Sequence, residues 1–392
     1  MLYYKDTQPW LLNGERVQVA ENNDHLGLVV SGWHEEQKNI DKKINKCRDS
    51  LFAMLGATYA HRCKLSPVLQ SHLWRTYNLP VLVSGLSALP IRPAYMTPLT
   101  MFHHKILRGF LRLSQSSPIP SLYFLLGELP ISNRLHLETL MLFHTIWSNP
   151  STKIFQIIEY ILMMADLRSL TWANHIRLLC AKYSLPDPLN LLKSDSCSKE
   201  EWKELIKTNI TVEAEKKWRQ EAKNNSKMEF LNVDLLGLAG RPHPALLNIT
   251  TPREVEKLRV HLKFLTGDFL TYQRRAKDRN SADSHCRICP ATCEDIPHVL
   301  TECKGTAEVR QRLLPDLLNI VCSINPNSHL LDYPRVDKKT LTQFILDSGS
   351  PNLDNDSRIS YDHPSSPEVF RISRDWCFSI NNTRNKLLKN LV

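Results

Sequence analysis

The sequence predicts a mainly α-helical protein with a short β segment at its N-terminal end. From Glu35 onward, apolar residues recur at spacings of three and four, which is the pattern of one helix face. Residues 198–201 and 251–254 read Ser-Lys-Glu-Glu and Thr-Pro-Arg-Glu. In each, a hydroxyl and a carboxylate three residues apart can satisfy two backbone amides at a helix start. Only residues 11–31 look like sheet, with short apolar runs on either side of an Asn-Gly turn.

Length and composition favour a folded, basic protein. The 392 residues are enough for two or three packing units of ordinary size. Hydrophobic residues make up 42% of the chain and charged residues 23%, so a core is expected rather than general disorder. The excess of 50 Lys and Arg over 40 Asp and Glu gives a net charge of +10, which attracts polyanions. By itself this charge also fits an ordinary basic surface.

Neither a secretory signal nor a membrane span is predicted. The N-terminal residues lack a basic region followed by an apolar run. The most apolar stretch, Ile154 to Ala165, is too short to cross a membrane and contains Glu159. Ten cysteines without such a signal favour a reducing compartment over a disulfide framework. We therefore expect no membrane partner.

Changes in composition divide the chain into five regions. A helix with one apolar face is predicted to start at Thr251, and its apolar stripe extends to Phe269. Residues 324–366 are rich in Pro, Ser, Asn and Asp, which predicts a flexible segment. A last helix is expected from Glu368 to Leu391. The predicted regions are 1–34, 35–95, 96–250, 251–323 and 324–392.

One group of cysteines has the spacing of a metal site. The pattern C-x2-C-x8-H-x4-C supplies four ligands of the right type for one tetrahedral Zn²⁺. Because protein would fill all four positions, the site would be structural. Two alternatives stay open: Cys293 or His285 replaces one ligand, or the cysteines are reduced and simply buried. The predicted zinc ligands are Cys286, Cys289, His298 and Cys303.

Basic residues surround this pattern on both sides. A zinc-ordered loop between cations is suited to phosphate contact, which positions a nucleic acid without reading its sequence. The predicted contacts before the pattern are Arg274, Arg275, Lys277 and Arg279, and those after it are Lys304 and Arg310, with Arg312 nearby.

Other candidate residues favour a plain structural interpretation. His103 and His104 could form a metal or acid–base pair, but adjacent helical residues point to different faces, so core or solvated histidines are expected. Trp202, Trp218 and Phe264 could stack on bases, yet their helical spacing is typical of a core. The sequence has no nucleophile elbow, P-loop or dinucleotide fingerprint.

Several short motifs follow one another in a recognisable order. They are LPVLVSGL at 79–86, FHHKILR at 102–108, LLGELPI at 125–131, RPHP at 241–244 and LTGDF at 265–269, followed by the Cys/His pattern. In this order they resemble the region downstream of the polymerase in LINE-type, jockey-like non-LTR retrotransposon reverse transcriptases. Ser84 and Ser87 stand where the family pattern has Tyr and Glu. The similarity extends over nearly the whole chain.

The resemblance implies names for the regions and an absent catalytic centre. Residues 1–34 would be the β remnant of the palm, 35–95 a thumb-like helical region, 96–250 a helical linker, 251–323 a basic helix with a CCHC zinc knuckle, and 324–392 a flexible segment with a terminal helix. The family's polymerase needs an Asp-Asp turn to hold two Mg²⁺ ions, and this chain contains no Asp-Asp dipeptide. We therefore expect no enzymatic activity.

The resemblance also implies the partners. They are RNA, RNA–DNA hybrid or single-stranded DNA, with an upstream polymerase region of the same element, in ribonucleoprotein of the nucleus and cytoplasm. Zn²⁺ would be the single, structural cofactor. Two other interpretations stay open. The chain could be a helical protein-interaction module whose cations are only a solvated surface, or a decayed transposon product without independent activity.

Overall fold

A computed structural model gives the structure of the protein. It describes residues 11–13, 15–16, 22–25, 27–31, 35–59, 65–164, 170–238, 240–278, 283–291 and 293–391. Within these residues the chain is mainly helical, which confirms the mainly α-helical class that the sequence predicts.

Strands occur only near the N-terminal end of the described chain. β1 (Leu11–Leu12) pairs antiparallel with β2 (Glu15–Arg16), and β3 (Asn22–His25) pairs antiparallel with β4 (Leu28–Ser31). Asn13 has a left-handed backbone with a φ of 52°, as a tight turn between β1 and β2 requires. The β residues predicted at positions 17 and 19 lie outside the described residues.

The first group of helices packs around the apolar face of its longest member. Ile40, Ile44, Cys47 and Leu51 are buried, which confirms the predicted face. The predicted boundary between residues 95 and 96 falls inside the last helix of this group. Its elements are α1 (Glu35–Tyr59), α2 (Pro67–Leu73), a π-helical turn (Trp74–Asn78), α3 (Leu79–Val83), a 3₁₀ turn (Leu86–Ala88) and α4 (Pro93–Leu111).

The second group of helices includes the almost fully buried helix α5, which packs against α10 and also against α2 and α4 of the first group. Trp202 is buried here, and its Nε1 donates to the Leu140 carbonyl oxygen at 3.0 Å. Glu128, between α5 and α6, accepts hydrogen bonds from Ser71 and Arg75 and so ties this group to the first one. The helices are α5 (Ile119–Leu126), α6 (Ile131–Trp147), α7 (Lys153–Met164), α8 (Trp172–Lys182), α9 (Pro188–Leu192) and α10 (Lys199–Lys223).

The third group contains the predicted metal ligands. Its helices are α11 (Pro252–Leu265), α12 (Tyr272–Asp278), α13 (Ala307–Ile324), α14 (Lys338–Leu346) and α15 (Ser366–Lys389). The last helix, α15, confirms the helix predicted at the C-terminal end and packs against both α11 and α13.

Both predicted capping boxes are present. At the start of α10, Ser198 Oγ accepts from the Glu201 amide at 3.2 Å, and Glu201 Oε2 accepts from the Ser198 amide at 3.0 Å. Thr251 and Glu254 make the same reciprocal pair at the start of α11, with distances of 3.3 and 3.0 Å. These contacts lie within four residues of chain, so local sequence is enough to predict them.

The prediction of a flexible segment at 324–366 is wrong. This segment contains α14, whose residues Leu341 to Leu346 are buried. The Gln343 amide donates to the Phe230 carbonyl oxygen at 2.9 Å, and His261 Nε2 donates to the Leu346 carbonyl oxygen at 2.9 Å. Polar groups of this segment therefore meet partners from distant parts of the chain, which makes their burial possible.

Candidate metal centre

Four side chains from one short stretch of chain converge on a point. Cys286, Cys289, His298 and Cys303 each offer one ligand atom, and these atoms all lie within 4.8 Å of one another. The first two follow a segment without regular structure, and the other two lie at the ends of a single helical turn. The four residues brought together are those that the spacing predicts.

The distances fit a tetrahedral ion and exclude disulfides. Cys289 Sγ lies 3.4 Å from His298 Nε2, and Cys303 Sγ lies 3.9 Å from Cys286 Sγ and 4.0 Å from Cys289 Sγ. With Zn–S of about 2.3 Å and Zn–N of about 2.0 Å, a tetrahedron requires about 3.8 Å between sulphurs and about 3.5 Å between sulphur and nitrogen. A disulfide would need about 2.05 Å. The group is therefore spaced to hold a metal ion.

A widened helical turn brings the histidine and the last cysteine together. In an α-helix, residues five apart point about 140° away from each other around the axis. Residues His298–Glu302 instead form a π-helical turn, in which the Cys303 amide donates to the His298 carbonyl oxygen at 2.8 Å. Asp295 Oδ1 accepts from the His298 amide at 2.7 Å and so helps to hold the start of this turn.

Close packing of a glycine fixes the two halves of the site against each other. A Cβ on Gly305 would lie 2.2 Å from Ile288 Cγ2 and 3.0 Å from Leu387 Cδ1. Ile288 belongs to the loop between the first two cysteines, Gly305 follows the last one, and Leu387 belongs to α15. Only a residue without a side chain allows these three segments to approach so closely.

The thiols differ in their readiness to ionise. Burial raises the pKa of Cys286 to about 12, although hydrogen bonds from the backbone of Ile288 and Cys289 oppose this effect. Burial acts in the same direction on Cys289, but hydrogen bonds from the backbone of Ala291 and Lys304 outweigh it and lower its pKa. A dication bound here would deprotonate the remaining thiols outright, because thiolate is the form that binds metal.

The histidine is prepared to act as a neutral ligand. Burial lowers the pKa of His298, with Glu302 acting in the opposite direction. Its Nε2 faces Cys289, while its Nδ1 lies 3.8 Å from Glu302 Oε2. A carboxylate behind the second ring nitrogen is a common means of orienting a metal-bound histidine.

The alternative ligands lie outside the cluster. Cys293 is half-buried, and neither it nor His285 belongs to the converging group. The His285 side chain is 63% exposed and lies 3.5 Å from an Asp283 carboxylate oxygen. The structure therefore does not support replacement of a ligand by Cys293 or His285, which the sequence left open.

The predicted phosphate-binding cations lie in different surroundings. Lys277, Lys304 and Arg312 are exposed. Arg274 pairs with Asp278 at 3.2 Å, and the Arg275 guanidinium lies 5.2 Å from the centre of the Tyr272 ring. Arg279 lies outside the described residues.

Arg310 requires a correction. Its residue surface is only 8% exposed, and its Nη1 donates to Thr306 Oγ1 at 2.7 Å. Arg310 lies one helical turn after Thr306, near the start of α13, and the Tyr333, Cys303 and Glu302 side chains are close enough to act on its charge. A phosphate could not reach this guanidinium without local unfolding.

A buried ion pair beside the site was missed by sequence reasoning. Arg384 of α15 donates to Glu294 Oε1 at 2.6 Å, and the two side chains are 5% and 1% exposed. The same carboxylate oxygen accepts from the Tyr272 amide at 2.9 Å, and the Arg384 guanidinium lies 5.8 Å from the Tyr272 ring centre. No local signal could identify this pair, because its members are 90 residues apart.

The competing candidate residues belong to the core, as their helical spacing favoured. Trp202, Trp218 and Phe264 are 1%, 8% and 0% exposed, so their rings are not available to bases. His103 and His104 are also buried, and the His103 ring stacks on Trp74 with 5.8 Å between ring centres.

Comparisons of this chain with protein-family models, curated proteins and solved structures find no match. The resemblance to LINE-type reverse transcriptases therefore rests on the motifs quoted above, and any function drawn from it is a proposal.

Proposed function

We propose that this chain is a zinc-ordered, non-catalytic nucleic-acid-binding region similar to the C-terminal part of a LINE-type reverse transcriptase. The observation that carries the proposal is the convergence of Cys286, Cys289, His298 and Cys303 beside exposed cations. In this interpretation β1 to β4 are the end of the palm, and the cysteine segment is a CCHC knuckle.

Zinc would have a structural role in this protein. Four protein ligands complete a tetrahedron and leave no position for a reacting water. Purified chain should contain one equivalent of zinc, and Cys289→Ser should lose it while Cys293→Ser keeps it. Less than about half an equivalent in the unchanged chain would contradict the assignment.

The nucleic acid would be held through its phosphates. Lys277, Lys304 and Arg312 are exposed close to the metal ligands in sequence, and the whole chain carries a charge of +10. Contacts of this kind give affinity without sequence preference and depend strongly on salt. Each phosphate contact on a single strand contributes about −0.7 to the slope of log affinity against log salt.

The test is a salt titration with fluorescently labelled single-stranded RNA, RNA–DNA hybrid and single-stranded DNA. Changing Lys277, Lys304 and Arg312 to Glu should weaken binding for all sequences and reduce the slope by about 2. The matched control changes three exposed lysines of α10, Lys199, Lys203 and Lys207, to Glu, which alters the net charge equally. Equal losses of affinity in the two variants would show that binding depends on the net charge alone.

Nucleotide incorporation is not part of the proposal. Without an Asp-Asp pair the chain has no evident means of holding the two Mg²⁺ ions that phosphoryl transfer requires. Primed RNA incubated with the chain, Mg²⁺ or Mn²⁺ and nucleotides should show no extension above a control without protein. Extension that survives further purification would refute the non-catalytic interpretation.

A helical interaction module is the second candidate. It is favoured by the exposed apolar side of α7, which nucleic-acid binding does not use. Undetectable nucleic-acid binding at low salt, in a chain that retains zinc, would make this candidate the better one.

A further inference from the structure

Helix α7 is apolar on two sides, and only one of them is covered within the described residues. Phe155, Ile158 and Leu162 are buried against the protein. The outer side exposes large apolar residues, although a helix that is apolar on all sides is normally buried. Their exposed fractions are 48% for Ile154, 53% for Ile157, 64% for Tyr160, 53% for Met163 and 68% for Met164.

This outer side is large enough for a stable interface. If a large side chain presents roughly 200 Å², the five residues expose roughly 550 Å². Two copies that meet through this side would bury roughly 1,100 Å² in total, which exceeds the roughly 1,000 Å² expected of a specific interface.

The charge of the outer side of α7 favours contact with a second copy of the chain over contact with a membrane. Lys153 and Glu159 are the only charged residues of α7, so this side is close to neutral in a chain of charge +10. Two such chains repel over most of their surfaces, and a neutral side is where they can approach. A helix that lies on a membrane usually has a polar face rich in Lys and Arg, which α7 lacks. Among the described helices, none has the length and apolarity to cross a membrane.

We propose that the outer side of α7 is the contact surface between two copies of this chain. A two-fold contact must be self-complementary, so that residue i meets residue j and j meets i. Ile154, Ile157, Tyr160 and Met163 follow one another at intervals of three. In an antiparallel contact centred between Ile157 and Tyr160, Ile154 of one copy faces Met163 of the other. Ile157 then faces Tyr160, so each residue of the row meets an apolar residue.

Sedimentation equilibrium of the full chain tests the proposal over a hundredfold range of concentration. About 0.5 M salt screens the repulsion between the copies and weakens any bridging by nucleic acid. The mass should rise from 45.2 kDa to twice that value. Ile157→Glu combined with Tyr160→Glu should weaken self-association at least about tenfold, because two charges from each copy would be buried at the centre of the contact.

The control combines Leu205→Glu with Val212→Glu, which places the same two charges on exposed apolar positions of α10. Ile157→Ala removes apolar area without adding charge and should weaken the dimer less. Circular dichroism checks that each variant is folded. A monomer at every concentration would overturn the proposal, as would a dimer that the central pair of substitutions leaves unchanged. Binding of a monomeric chain to phosphatidylserine vesicles through α7 would instead assign this side to a membrane surface.

Discussion

Glu128 and Glu294 are both buried beside an arginine, but they lie in regions of very different construction. Glu128 accepts from Ser71 Oγ at 2.5 Å and from Arg75 Nε at 2.7 Å, and the Arg75 side chain is still 38% exposed. Glu294 accepts from Arg384 at 2.6 Å, and the Arg384 side chain is only 5% exposed. Water can therefore form hydrogen bonds with part of the Glu128–Arg75 pair, but it reaches very little of the Glu294–Arg384 pair.

The surroundings of the two pairs differ in the same way. Glu128 lies between α5 and α6, where Leu122, Phe124 and Phe143 are fully buried, so apolar packing already holds these helices. Glu294 lies in residues 283–297, which form no extended helix or strand within the described part of the segment. A segment without regular structure depends on its ligands and polar contacts, so metal and ion pair should dominate the stability of this region.

Loss of the metal should have the largest effect on this comparison. In Cys289→Ser, amide hydrogen exchange of residues 283–305 should become nearly as fast as in an unfolded chain, while α5 and α6 remain protected. Structural zinc contributes about 10–16 kcal/mol of binding free energy in small zinc peptides, which explains the size of the expected change. Cys293→Ser is the control and should leave exchange unchanged. Equal deprotection of α5 and α6 would show that the two regions are not independent.

Breaking the two ion pairs should give unequal losses. Arg384→Met leaves the Glu294 carboxylate buried without its cation, which should lower the free energy of unfolding by about 3–5 kcal/mol. Arg75→Met should cost less, because Ser71 remains as a donor and water can reach the vacated position. Urea unfolding of both variants provides the measurement. A larger loss for Arg75→Met would reverse the comparison.

Two glycines provide a smaller test of the same contrast. Gly305→Ala forces a methyl group against Ile288 and should lower the free energy of unfolding by about 1–3 kcal/mol. Gly109→Ala, in the last turn of α4, has no heavy atom within 4 Å of the added methyl group. It should raise the stability by up to about 1 kcal/mol, because alanine favours helix. Thermal unfolding followed by circular dichroism compares them, and stabilisation by Gly305→Ala would contradict the close packing inferred beside the metal ligands.

The last prediction concerns pH and the helical core. Burial, together with the nearby His104, lowers the pKa of His103 to about 3. Below the unfolded value of about 6.5, only the unfolded chain takes up this proton, so the histidine's contribution to stability is complete above pH 6.5 and falls as the pH falls towards 3. Each pH unit in this range costs about 1.4 kcal/mol.

Urea unfolding at about pH 7.5 and about pH 5.5 measures this dependence. The loss of stability between the two values should be smaller in His103→Phe than in the unchanged chain, by about 1.4 kcal/mol. His72→Phe, at an exposed position of α2, serves as the control. An unchanged pH dependence in His103→Phe would mean that another group accounts for the acid sensitivity.

Short-range features of this protein followed from the sequence alone. The capping boxes at Ser198 and Thr251 involve partners three residues apart, so the chemistry of a helix start was sufficient to locate them. The same holds for Cys286 and Cys289, whose spacing is a property of one loop. The buried face of α1 followed from the helical period.

Long-range features were decided only by the tertiary structure. The polar composition of residues 324–366 predicted flexibility, but Gln343 finds its acceptor on Phe230, more than 100 residues away. Arg310 carries the charge expected of a phosphate contact, but the fold buries it and its Nη1 donates to Thr306 Oγ1. Composition indicates which side chains prefer water. The burial of a side chain depends, however, on which distant groups the fold places beside it, because a satisfied hydrogen bond or ion pair can reverse that preference.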